Sequence, residues 1–213
     1  MIAVISGSTG LTGARLVSKL LSDSFIDQVI SVSRKSMNIE HPKLTEVIIP
    51  DFSKLADYKE KLKGDIYFCC LGTTIKLAGT KTNFRKVDFD AIVDFGKIAE
   101  THNSKSLTVV SAMGANPHSK IFYNKVKGET EKALLELKLN RLTLIRPALL
   151  IGERSASRPL EKAAMTIVNT MVSFMPESLY QMIATTVENL AVRMLKEGKN
   201  PTAQIKIINA KEI

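Results

Sequence analysis

The sequence predicts an α/β fold: a doubly wound, mainly parallel sheet of about seven strands with helices on both faces. Three observations lead there. Short β-rich runs alternate with longer amphipathic segments from end to end. The short runs are apolar on both sides rather than strictly alternating, the pattern of strands covered on both faces. A glycine-rich turn, SGSTGLTGARLV (Ser6–Val17), joins the first apolar run to the first amphipathic one. The 213 residues read as a single domain with a small C-terminal region over about 148–200.

The elements follow in order. Met1–Ser6 reads as strand one. Leu11–Ser22 reads as a helix with Leu16, Val17, Leu20 and Leu21 on one face. Gln28–Ser33 is strand two and Thr45–Ile49 strand three, followed by a short helix over Asp51–Leu62. Asp65–Cys70 is strand four. Thr82–His102 reads as one long helix, with Val87, Ala91, Phe95 and Ile98 inward. Ser106–Ser111 is strand five, Ile121–Leu137 a helix, and Arg141–Arg146 strand six, stopped by Pro147. Helices near Glu161–Phe174 and Ser178–Glu197 and a last strand, Gln204–Ile208, complete the prediction.

Composition excludes several classes. Hydrophobic residues make up 45% and charged residues 24%, which places the chain among globular proteins rather than disordered ones. No apolar stretch reaches the roughly 18 residues of a membrane span. The two cysteines, Cys69 and Cys70, are adjacent, so they form neither a disulfide framework nor a metal-ligand spacing, and no metal site is expected. Those thiols and the start of the chain lead to an expected cytoplasmic location. The net charge of +9 comes without a basic run of five or interleaved aromatics, so nucleic acid is not the expected partner. A phosphate-bearing cofactor also favours a locally basic cleft.

The turn after strand one carries Gly7, Ser8, Thr9, Gly10, Leu11, Thr12 and Gly13. In a strand–turn–helix unit, such glycines permit a tight turn, close approach of a pyrophosphate and close helix–strand packing. The helix N-terminus adds free N–H groups and partial positive charge. A dinucleotide is the expected ligand. Strand two ends Ser31-Val32-Ser33-Arg34-Lys35, with no acid to bond adenosine ribose hydroxyls. Arg34 and Lys35 instead suit a 2′-phosphate, so NADP(H) is expected over NAD(H). Asp51 and Phe52 after strand three, Leu71-Gly72-Thr73-Thr74 after strand four and Pro147 after strand six are placed beside the same cleft.

Strand five ends at Ser111, and Tyr123 and Lys127 follow at i, i+4 on the next helix. Carbonyl reduction needs a proton donor, and an unperturbed tyrosine with a pKa near ~10 is a reluctant one. A neighbouring ammonium stabilises the phenolate, which makes the pair an acid–base device. Ser111 is the expected hydrogen-bond donor to the substrate oxygen.

The spacing G-x-x-G-x-x-G, together with C-C-L-G-T-T (Cys69–Thr74), A-G-T-K (Ala78–Lys81), V-D (Val87–Asp88), S-A-M-G-A (Ser111–Ala115), Y-N-K-V-K-G-E (Tyr123–Glu129), R-P (Arg146–Pro147) and G-E-R-S-A-S-R-P (Gly152–Pro159), resembles the atypical short-chain dehydrogenases of the Tat-interacting-protein type. The resemblance implies a Rossmann-like fold, NADPH in the Gly7–Gly13 cleft, and Ser111, Tyr123 and Lys127 as the reductase constellation. It departs at Ala112, where relatives often have a hydroxyl, and at Arg15, one place later than the family's basic residue. Two functions follow: reduction of a small carbonyl substrate held between Met113–His118 and Pro147–Arg158, or cofactor-dependent regulation through a protein partner. Both a monomer and a homodimer fit the pattern.

Overall fold

The computed structural model of the protein describes residues 1–151 and 184–213. Seven strands form one sheet: β1 (Ile2–Ser6), β2 (Gln28–Ser33), β3 (Leu44–Ile48), β4 (Ile66–Cys69), β5 (Ser106–Val110), β6 (Leu142–Arg146) and β9 (Ile205–Asn209). Their spatial order is β3-β2-β1-β4-β5-β6-β9, and every neighbouring pair is parallel. The order reverses between β1 and β4. That reversal opens a crevice at the carboxyl ends of the strands, where ligands of doubly wound sheets bind.

Two apolar cores lie on the two faces of the sheet. Val4, Tyr67 and Cys69 point to one, with Phe95, Leu107 and Leu144. Ala3, Ile5, Ile66 and Phe68 point to the other, with Leu16, Val17 and Leu20 of α1 (Leu11–Ser22) and Leu190 and Met194 of α6 (Val187–Lys199). Alternate residues of one strand therefore feed opposite cores, which is why the strands read as unbroken apolar runs. Burying each such side chain contributes about 1.5–3 kcal/mol.

The predicted strands one to six and the last strand are all present, within a residue or two of their expected bounds. The Asp51–Leu62 segment is a run of 3₁₀ turns over Phe52–Leu62, with the Asp51 carboxylate accepting the Ser53 N–H at 3.0 Å. The long Thr82–His102 helix is composite. It runs as α3 (Lys81–Arg85), a π-helical turn (Lys86–Asp90) and α4 (Ala91–Thr101). A short α2 (Ile75–Ala78) precedes it, capped by Thr74, whose side chain accepts the Leu77 N–H at 3.2 Å. α5 spans Phe122–Leu135.

The predicted Ser178–Glu197 helix begins later than expected. Ala184–Thr186 is instead a strand, β8, paired in parallel with β7 (Leu149–Ile151). Thr186 then caps α6 by accepting the Asn189 N–H at 3.1 Å, which fixes the start at Val187. The expected helix at Glu161–Phe174 and the G-E-R-S-A-S-R-P segment lie outside the described residues.

Candidate functional site

The glycine turn leaves β1 with Gly7 at φ +75, in the left-handed region. A Cβ there would lie 2.6 Å from the Cys70 backbone, because β4 passes alongside. At Gly13 a Cβ would overlap the Gly7 carbonyl, so α1 sits directly on the turn. These two glycines are packing requirements. Gly10 is different: it is exposed, as is Thr9, and only the Gly7 oxygen lies near its missing Cβ, at 3.2 Å.

Ser8 and Thr12 turn inward, Ser8 joining Ser31 by a 2.7 Å hydroxyl hydrogen bond that ties the turn to β2. Leu11 opens α1, whose N-terminus carries no side-chain cap. An uncapped helix end with no acid in its first turn, above an exposed glycine, fits a pyrophosphate.

The Arg34 and Lys35 side chains are exposed at the end of β2, where Ser33 Oγ donates to the Lys35 carbonyl and shapes the turn. Arg15 is engaged elsewhere, 3.2 Å from Glu188 of α6. Asp51 is exposed at its capping position, with its carboxyl held below the usual aspartate range by the Ser53 hydrogen bonds. Phe52 packs against the core, and Leu71 is buried.

The loop after β4 meets α5 at Gly72. A Cβ on Gly72 would lie 3.6 Å from Asp88 Oδ1 and 3.8 Å from Lys127 Nζ. Those two groups form a buried ion pair at 2.7 Å. The Thr73 N–H donates to the other Asp88 oxygen at 2.8 Å. Asp88 sits in the π-helical turn, so one carboxylate grips both the loop after β4 and the α5 lysine. Burial works against the Lys127 charge, but Asp88, with Tyr123 nearby, outweighs it and holds the ammonium above the ordinary lysine range.

Ser111 is buried, and its hydroxyl donates to Glu131. Arg146 holds the same carboxylate from two nitrogens, one at 2.9 Å. Ser111, Lys127, Thr130 and Glu131 line one small cavity with core aliphatics such as Ile92, Val109 and Leu144. Tyr123 is half-buried, its ring tilted 5.7 Å from Phe84 of α3. Tyr123, Lys127 and Glu131 thus form a stripe at i, i+4 and i+8 along α5. The loop after β5 packs on this helix: the Asn116 N–H donates to the Asn124 carbonyl at 3.0 Å, and Gly128 leaves room for Asn116 and Pro117. Pro147 is buried, and its carbonyl accepts the Met113 N–H at 3.0 Å.

The two ion pairs supply residues that motif spacing did not single out as functional, Asp88 and Glu131. Asp88 stood in the V-D pair. Glu131 could have been found by continuing the four-residue step beyond Lys127. The described residues hold no cluster of metal-ligating side chains. Burial pushes the thiols of Cys69 and Cys70 above their ordinary range.

Comparison with known proteins agrees with this architecture. Residues 7–173 match a family model described as NAD(P)H-binding. Protein FMP52, mitochondrial, of Meyerozyma guilliermondii is 33% identical over 220 residues, covering 100% of this chain and 94% of its own. Protein HTATIP2 of Rattus norvegicus is 32% identical, covering 98% and 86%. Among solved structures, the Bordetella bronchiseptica enzyme WbmG in complex with NAD superposes with a TM-score of 0.71 at 12% identity, covering 98% of this chain and 72% of that one. A UDP-glucose 4-epimerase from Thermotoga maritima gives 0.72 at 14% identity, covering 98% and 76%. The expected cytoplasmic location does not stand. FMP52 relatives, including that of Candida albicans, are named as mitochondrial proteins, and two reduced-looking cysteines do not distinguish the compartments. The described helices include none long and apolar enough to cross a membrane. The chain belongs to the NAD(P)H-binding family, as an atypical short-chain dehydrogenase/reductase of the HTATIP2 type.

Proposed function

We propose that the protein is an NADPH-dependent reductase of a carbonyl substrate, with Tyr123 as the proton donor. The observation that carries this is the α5 stripe: a half-buried Tyr123 one turn from a buried, charged Lys127, at the crevice that also holds the glycine turn. The turn of Gly7, Ser8, Thr9, Gly10, Leu11, Thr12 and Gly13 would hold the pyrophosphate. Arg34 and Lys35 would hold the 2′-phosphate. Asp51, Phe52, Gly72, Thr73, Thr74 and Pro147 would line the remaining cofactor surface. The reduced nicotinamide, when bound, supplies the hydride.

The residues of this chain supply the rest. Lys127 keeps its proton because Asp88 faces it, and it stands one turn from Tyr123 on the same helix. Tyr123 is the group that would pass its proton to a substrate oxygen as negative charge develops there. Ser111 is oriented by Glu131, which in turn is held by Arg146. Its proton already points at a carboxylate. In this arrangement it offers the substrate side a lone pair unless the hydroxyl rotates.

That same contact favours a second reading, a dinucleotide-binding regulator acting through a protein partner, for which no substrate-facing serine is needed. One experiment separates the two. NADPH oxidation across a panel of aldehydes and ketones is measured for wild type and Tyr123→Phe, with NADPH affinity measured by calorimetry. The reductase predicts a loss of about 10²–10⁴-fold in turnover with binding retained. Binding without turnover of any substrate by wild type supports the regulator.

A further inference from the structure

The net charge of +9 is unevenly placed. Two segments, 71–87 and 111–128, contain seven lysines and arginines and no aspartate or glutamate. The remainder of the chain holds 23 basic and 21 acidic residues, close to balance. The basic residues are spread along the sequence; it is the acids that are missing from these two stretches.

Both segments leave the carboxyl ends of adjacent strands, β4 and β5, and they pack together around Tyr123. Phe84 of α3 contacts the Tyr123 ring and, also at 5.7 Å, the Phe122 ring. Lys81 Nζ lies 5.2 Å over Phe122. α2 is tied to α3 by the Asn83 amide donating to the Ala78 carbonyl at 3.2 Å. Three of the seven cations are neutralised by acids just beyond the segments: Lys127 by Asp88, and Arg85 and Lys125 by Glu129. The other four, Lys76, Lys81, Lys86 and Lys120, are exposed and make no ion pair among the described residues.

Apolar side chains are set among these cations. Ile75 and Leu77 flank Lys76, and Ile121 follows Lys120; Leu77 and Ile121 are 52% and 63% exposed. Exposed aliphatics beside cations that have no ion-pair partner among the described residues, at the mouth of a cleft, match a ligand with an apolar chain and a negative charge. The cofactor does not account for them. Its pyrophosphate cradle follows β1 and its 2′-phosphate contacts follow β2, whereas these residues follow β4 and β5.

We propose that this rim selects the substrate, which is an amphipathic anion: a carbonyl compound bearing an aliphatic chain and an anionic group. The inference rests on the reductase reading for the word substrate and on the rim alone for the chemistry of the ligand. It is tested by binding, using decanoate and decanol as probes, by calorimetry in low salt. Decanoate is expected to bind at least about tenfold more tightly, a difference of about 1.4 kcal/mol. Raising the salt to 0.5 M should erase most of that advantage. Lys76→Glu/Lys81→Glu/Lys120→Glu, three exposed changes checked for folding by circular dichroism, should abolish it while leaving NADPH affinity unchanged.

Equal binding of the two probes overturns the proposal, as does a triple variant that keeps the decanoate preference. Cosedimentation with phosphatidylglycerol vesicles but not phosphatidylcholine ones, without binding of free decanoate, overturns it in favour of a lipid surface. Failure of wild type to bind NADPH removes the reductase reading, and the decanoate contrast still decides the chemistry of the rim.

Discussion

The two sides of the crevice are built by different means. On the β1 side, the glycine turn is shaped by backbone: Gly7 at positive φ, Gly13 under the Gly7 carbonyl, and an uncapped helix end. Its side chains matter mostly by being absent. On the β4–β5 side, the geometry is held by buried charge: Asp88 with Lys127, and Glu131 with Arg146 and Ser111. A backbone device tolerates little added volume, whereas a charged device tolerates no unpaired member. Each side should therefore fail under a different substitution.

The largest effect is expected at Asp88→Ala. It strands the Lys127 ammonium in the interior, and breaking one partner of a buried pair costs about 3–5 kcal/mol. Urea unfolding measures this directly. Asp88→Leu/Lys127→Met should recover most of the loss, because the penalty belongs to the unpaired charge. The pH dependence sharpens the point. The folded Lys127 pKa lies above its ordinary 10.5, so the stabilisation from its proton is fully present below 10.5 and lost as pH rises through the folded value. Wild type should lose stability relative to the apolar double variant on that alkaline limb.

Gly13→Ala comes next, at about 1–3 kcal/mol of overpacking, seen as a lowered Tm. It should also abolish NADPH binding, since α1 must move away from the turn. Arg34→Ala should leave stability unchanged and reduce the preference for NADPH over NADH by about tenfold in calorimetric titrations, as expected for one charge-assisted phosphate contact. An unchanged preference would remove Arg34 from the 2′-phosphate site. The smallest effect lies far from the crevice. Burial tends to raise the Asp23 pKa, but Lys199 and the Phe25 N–H outweigh it and hold the value below 3.8. Its contribution is present above pH 3.8 and lost as pH falls through the folded value, so Lys199→Ala should flatten the acid limb by less than about 1 kcal/mol.

The contrast also separates what could be read in the sequence from what could not. The glycine turn, its flanking strand and helix, and the Tyr123–Lys127 step are contiguous, and local spacing reveals them. The apolar runs of β1, β2, β4, β5 and β6 are legible because each is covered on both faces. The partners of Lys127 and Glu131 are not, because Asp88 arrives from another helix and Arg146 from another strand. Three-residue strands such as β7 and β8 carry too few side chains to show a period, and their pairing depends on segments distant in the chain. The break at Lys86–Asp90 is silent for a related reason. A π turn keeps helical composition and changes only the hydrogen-bond step.

That turn has an evolutionary corollary. A single π turn inside a helix is the footprint of one extra residue accommodated without breaking the rod. Each residue advances an α-helix by about 100°. Excising one position from Lys86–Asp90 would let α3 and α4 fuse into regular helix and swing Phe84 and α3 about a quarter-turn around the axis relative to Ala91–Thr101. Phe84 would leave the Tyr123 ring, and Asp88 would lose its aim at Lys127 or at Thr73. No point substitution reproduces that rotation. A one-codon deletion is thus a larger step for this site than most amino-acid exchanges, and variants shortened there should fold around a different crevice.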